Sequence, residues 1–313
     1  MSSTDTHAET SAKISRTPIY IILGLAIAMV VGVLFGARFM FQQAATQPVA
    51  MPELPSPGAQ SQECADFIAS LPERVMDYPR AEIAEPAPAG VAAWQRSSTE
   101  RVTLRCGVEW PLQFHAYAQP EDIGGTRWLR VDDVAGTTMS TWFTTDRSPV
   151  VAVTADLAQL RDGETPVDRI DAAQLPVADV AVEPAPLSQL PAGDTAGCGS
   201  IAAPDSIAEG YTRIDVSEEH TYAWTSPGKE PIVLRCGVAE PEAYEAGAQL
   251  TQINDVPWFE DPLASGGAAG RTMYALGREA MVAAYLPMGG GNEAITNLTE
   301  LISQNVPEAR SAG

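Results

Sequence analysis

The sequence predicts an α+β protein: one N-terminal transmembrane helix followed by two small repeated α+β domains with mostly antiparallel sheets, each with one disulfide. Three observations predict it. A stretch of uncharged residues runs from Thr17 to Ala37, a tryptophan-to-cysteine signature occurs twice, and the four cysteines fall one pair per copy.

The uncharged stretch would form about 31 Å of helix, enough to cross a hydrocarbon core of about 30 Å. It exceeds the apolar region of a cleaved signal peptide, and Ala44-Ala45 makes a poor cleavage site. Lys13 and Arg16 precede it. The positive-inside tendency therefore predicts a single-pass protein of the cytoplasmic membrane, with its N-terminus inside and its domains outside. Gly24, Ala28, Gly32 and Gly36 recur at every fourth position. Gly32 and Gly36 make a GxxxG pair through which two spans could associate.

After the span the same pattern appears twice. Trp94 lies twelve positions before Cys106, and Trp224 twelve before Cys236. Val102 to Val108 and Ile232 to Val238 share Leu-Arg-Cys-Gly-Val, and Pro111 and Pro241 follow at one offset. Upstream, Cys64, Tyr78 and Arg80 match Cys198, Tyr211 and Arg213. Downstream, Val131-Asp132-Asp133-Val134 is read as the counterpart of Ile253-Asn254-Asp255-Val256, and Arg147 as that of Arg278. Several matches in one order indicate duplication.

The repeat selects one cysteine pairing of the three available, Cys64–Cys106 and Cys198–Cys236. An extracytoplasmic location permits both bonds. Cys64, Phe67, Ile68 and Leu71 follow a helical period, as do Ile295, Leu298, Leu301 and Ile302 within a closing helix over 293–306. Strands are expected at both cysteine signatures and at 128–131, 140–144, 150–154, 248–253, 272–276 and 280–286. The expected organisation is a cytoplasmic segment 1–16, the span 17–39, a Pro/Ala-rich linker 40–60 and a first domain 61–160. An acidic Pro/Ala-rich linker 161–195, a second domain 196–306 and a tail 307–313 follow. Such linkers favour semi-extended spacers.

The chain carries 19 basic and 40 acidic residues, for a net charge of −21. That surface repels nucleic acid. No GxSxG, P-loop, GxGxxG or CxxC motif occurs, and His7, His115 and His220 are scattered, so no cofactor and no metal site are expected. Ser226-Pro227-Gly228-Lys229 matches S-x-x-K in letters, but Pro-Gly reads as a β-turn. Arg105 and Arg235, with Arg147 and Arg278, recur in both copies. They are the candidate ligand-binding residues, because forked guanidinium groups can grip a carboxylate or phosphate. The alternative for each is a local acid such as Asp133 or Asp255. Trp94 and Trp224 are expected in the core against the disulfides.

With its Trp…Leu-Arg-Cys-Gly-Val signature, upstream cysteine and single span, the chain resembles an uncharacterised actinobacterial membrane-anchored family, domain of unknown function thirty-five fifteen. The resemblance covers 64–154 and 198–305, in two tandem copies where members typically have one. It implies the fold and the location and brings no activity. The expected function is a non-enzymatic binding or scaffolding module of the cell envelope, with an envelope protein or cell-wall component as partner. The alternative is an envelope hydrolase using acids such as Asp133 and Asp255, or a metal.

Overall fold

The computed structural model describes residues 17–45, 47–161, 163–245, 247–262, 270–288 and 291–309, and in its first helix the side chains of 20–38. The expected cytoplasmic segment, with Lys13 and Arg16, lies outside the described residues.

The chain divides into two units, 1–47 and 48–313. The first holds helix α1 (Thr17–Ala45), which is long and apolar enough over Tyr20–Arg38 to cross a membrane. Its described side chains are exposed. The helix runs six residues beyond the expected span.

In the second unit, helix α2 (Gln62–Ser70) begins at an N-cap where Ser61 Oγ accepts from the Cys64 amide. The short pair β1 (Arg74–Val75) and β2 (Tyr78–Pro79) follows. Strands β3 (Val91–Gln95), β4 (Arg101–Val108), β5 (Glu121–Ile123), β6 (Thr126–Asp132), β7 (Met139–Thr144) and β8 (Val150–Asp156) form an antiparallel sheet of order β3-β4-β8-β7-β6-β5.

The second repeat has β9 (Thr212–Ile214), β10 (Thr221–Thr225), β11 (Ile232–Cys236), β12 (Thr251–Ile253), β13 (Val256–Asp261), β14 (Gly270–Ala275) and β15 (Val282–Pro287), then helix α3 (Gly291–Asn305). Their order is β9-β10-β11-β15-β14-β13-β12. From β10 to β12 this reproduces the first sheet strand for strand.

Each repeat buries one core around its disulfide. Cys64–Cys106 lies with Trp94, Leu104 and Val153, and Cys198–Cys236 with Trp224, Leu234 and Leu298. Each tryptophan donates its indole N–H to a proline carbonyl, Trp94 to Pro72 at 2.8 Å and Trp224 to Pro204 at 2.9 Å. Both expected disulfides and all the expected strand regions are present.

Two expectations are corrected. The Val131–Val134 and Ile253–Val256 correspondence is out of register. Ile253 faces Val256 across the β12–β13 turn, as Ile123 faces Thr126 across the β5–β6 turn, so Ile123 is its counterpart. Trp128 and Trp258 then occupy equivalent places.

The Pro/Ala-rich stretches are also packed rather than free spacers. Val49 and Met51 are buried against Ala93, and Ala185 and Leu187 join the outer core of the second sheet. Val167, Ile170, Ala172 and Leu175 are buried in the first core. Prolines blocked helix formation there without preventing burial of the apolar residues between them.

Candidate functional site

The repeated signature has a mechanical reading, residue by residue. Leu104 and Leu234 are core. The arginine that follows points to the other face of its strand, as alternation requires. There Arg105 donates to the Pro52 carbonyl at 2.6 Å, and Arg235 to the carbonyls of Leu187, Ser188 and Leu190 at 2.6, 3.2 and 3.1 Å. Both guanidinium groups hold an N-terminal strap, 49–58 in the first repeat and 185–193 in the second.

The cysteine makes the disulfide, and the glycine admits the strap's backbone. Gly107 has φ +82°, its carbonyl accepts from Gly58 N at 2.9 Å, and a β-carbon there would collide with Gly58 and Ala59. Gly237 accepts from Gly193 N at 2.8 Å in the same way.

The second arginine pair is equally matched. Arg147 donates to the Gly125 carbonyl, and Arg278 to the Asp255 carboxylate at 2.6 Å, so each holds the turn before the tryptophan strand. The Arg278 ion pair, then Ser303, keeps the Asp255 carboxyl below its usual range. Asp133 is not its counterpart. It accepts from Thr137 Oγ1 at 2.6 Å and the Ala135 amide at 3.0 Å, and these bonds lower its carboxyl too. The structure therefore brings Arg105 and Arg235 to straps, and Arg147 and Arg278 to turns. All four guanidinium groups contact their own chain.

The repeats differ at the hairpin tips. In the first, Arg96 pairs with Glu100 and the tip closes on itself. In the second, the β10–β11 tip, with a turn in which Lys229 N donates to the Ser226 carbonyl, enters the first repeat. Gly228 bridges Val131 as a parallel pair, and its carbonyl accepts from the Asp132 amide at 2.7 Å. Arg130 reaches the Pro227 carbonyl at 3.1 Å while holding Asp132 at 2.8 Å.

Beside this tip lies a buried polar group. Glu230 accepts from the Tyr285 hydroxyl at 3.1 Å, and its Oε2 lies 3.7 Å from His115 Nε2. His115 Nδ1 accepts from the Tyr117 amide at 3.2 Å. Tyr117 in turn is buried in the outer core of the second repeat, where burial, then Glu218, holds its phenol well above the usual range.

A cavity of about 130 Å³ opens where the tip meets the first sheet. Its walls include Trp128, Trp142, Leu157 and Leu160 from the first repeat and the 225–231 segment from the second. The Trp128 indole nitrogen is buried with no hydrogen-bond partner among the described residues. Sequence reasoning missed this site, because its walls come from two repeats.

The family model described as "Protein of unknown function (DUF3515)" matches residues 23–174 and 170–311. The chain belongs to this family. Two DUF3515 regions therefore stand in tandem, meeting at the short 3-10 turn Ala172–Gln174. The first takes in most of α1 together with its strap, and the second takes in the strap held by Arg235. No curated protein and no solved structure matches the chain.

Proposed function

We propose that this protein is a binding module of the cell envelope, tethered to the outer face of the cytoplasmic membrane, whose ligand sits in the cavity between its two repeats. The observation that supports a binding role is the cavity of about 130 Å³ walled by residues of both copies. Small-ligand pockets are concave and form preferentially at interfaces between domains. In this reading Arg105, Arg235, Arg147 and Arg278 hold the frame rather than the ligand.

The placement outside is supported by the apolar helix, the basic residues before it and the two disulfides. Reporter fusions at Gly313 that are active only in the cytoplasm would overturn it. Association of two spans through Gly32 and Gly36 belongs to the same reading, and unchanged cross-linking of Gly32→Leu in membranes would remove it.

The ligand seat is tested by native mass spectrometry of the full chain taken from its own membranes. A bound small molecule lost in the cavity-filling variant Leu160→Trp supports the seat. A spectrum identical for both proteins counts against it.

A further inference from the structure

The two hairpin tips have the same length, so their residues correspond one to one. Trp94 pairs with Val102 across the first hairpin, and Trp224 with Ile232 across the second. Two residues further into each tip, Arg96 corresponds to Ser226 and Glu100 to Glu230. In the first tip Arg96 Nε donates to the Glu100 carboxylate at 3.1 Å, at the surface. The second tip keeps the acid and has lost the base.

Glu230 is nonetheless buried, its side chain 5% exposed, and it stands in the wall of the cavity between the repeats. Its neighbours are neutral. The Tyr285 hydroxyl donates to it at 3.1 Å. His115 Nε2 lies 3.7 Å from its Oε2, beyond hydrogen-bond reach. His115 Nδ1 accepts from the Tyr117 amide at 3.2 Å, which a neutral imidazole can do and an imidazolium cannot. Among the described residues no lysine or arginine forms an ion pair with Glu230.

A carboxylate withdrawn from water is costly unless a charge of opposite sign meets it. The rest of the lining does not supply that charge. Arg130 is committed to Asp132 and to the Pro227 carbonyl, and Lys229 is exposed, over the Tyr211 ring at 5.8 Å. Glu121 and Glu164 add negative charge to the wall, and the chain's net charge of −21 has the same sign. A cavity of about 150 Å³ holds a benzene-sized molecule. At about 130 Å³ this one has room for a compact body, which Leu157 and Leu160 would meet with apolar surface.

We infer that the cavity takes a small organic cation, an ammonium or guanidinium group on a compact apolar body, whose charge meets Glu230 as that of Arg96 meets Glu100. The inference rests on the reading of this cavity as a ligand seat and adds the chemistry of what it holds.

The test is an NMR titration of the full chain in neutral detergent micelles at constant ionic strength. Leucine methyl groups and histidine ring nitrogens carry the labels. The Leu157 and Leu160 methyl signals report whether the seat is filled, and the His115 ring reports events beside Glu230. The His220 signal reports whether each variant is folded. Cyclopentylamine is the cationic probe, cyclopentanol the neutral one and cyclopentanecarboxylate the anionic one. Potassium chloride supplies a cation without an apolar body. The expected result is a shift of the Leu157, Leu160 and His115 signals with cyclopentylamine alone. Affinity for the amine should fall about tenfold in Glu230→Gln, the loss of one charge-assisted bond. Ser226→Arg, which restores the base of the first tip, should abolish amine binding.

If cyclopentanol fills the seat as well as the amine, and Glu230→Gln binds the amine like wild type, the seat stands and the cationic chemistry is overturned. Equal binding of cyclopentanecarboxylate also overturns the cationic class, and an equal response to potassium overturns the organic body. If no Leu157 or Leu160 signal moves with any probe, the seat itself falls.

Discussion

The backbone amide of Asp132 donates to the carbonyl of Gly228 at 2.7 Å, and this bond couples the first repeat to the second. Gly228 has φ +76°, and a β-carbon there would collide with the Asp132 carboxylate. Gly228→Ala should therefore cost about 1–2 kcal/mol from the left-handed conformation, with the collision adding to it. Hydrogen exchange at the Asp132 amide should quicken while that of β4 and β11 is unchanged. Unaltered protection at Asp132 would show that the tip does not depend on this glycine.

The strap clamps differ in strength. Arg235 bonds three carbonyls and Arg105 one. Charge-assisted bonds contribute more than neutral ones, so Arg235→Ala should destabilise by about 2 kcal/mol and Arg105→Ala by about 1 kcal/mol. Limited proteolysis should cut 185–193 first in the former and 49–58 first in the latter. Equal cleavage rates in wild type and variants would refute the clamping role.

Each disulfide closes a loop of similar length, with sequence separations of 42 and 38. Replacing both cysteines of one bridge by serine should cost on the order of 4 kcal/mol through the freed unfolded chain. Denaturant titration should show the larger loss in whichever repeat was changed. A change below about 1 kcal/mol would mean that the reduced chain keeps the loop closed.

Alkaline and acid limits come from different groups. Burial, then Glu230, pushes Tyr211 up to about 12, and burial, then Asp261, pushes Tyr274 up to about 12. The folded state holds these protons longer than the unfolded state. Stability from this source is full below about pH 10 and lost as pH rises through about 12. Tyrosinate absorbance should rise together with unfolding. At the acid end the Asp255 carboxyl is depressed, so its contribution is present above about pH 4 and lost as pH falls through its lowered value. Asp255→Asn should flatten the acid limb of the stability curve.

The long apolar helix, the duplication and both disulfides were legible because each is local or repeats itself. A run of uncharged residues or a spaced Trp and Cys survives translation into structure without knowledge of the partners. The straps were not legible. Val49, Met51 and Leu187 lie among prolines with no period of two or 3.6, so composition marked them as spacers. The β5–β6 register was misread because Val-Asp-Asp-Val and Ile-Asn-Asp-Val look alike, while Trp128, three residues before the first, and Trp258, two after the second, carry the true alignment. The cavity is walled by residues of both repeats, which residue patterns in either copy alone do not reveal.

The strap order along the chain sets a path for tension. A pull on the N-terminal side of Val49 first loads its backbone bonds with Glu82 and Ala84, then the bond from Arg105 to Pro52, then the Gly58–Gly107 bond. Beyond these the next connection is covalent, Cys64 to Cys106. Stretching would release a short tether and then stop at a fixed length, before the sheet itself bears load. The chain thus carries its own slack and its own end-stop.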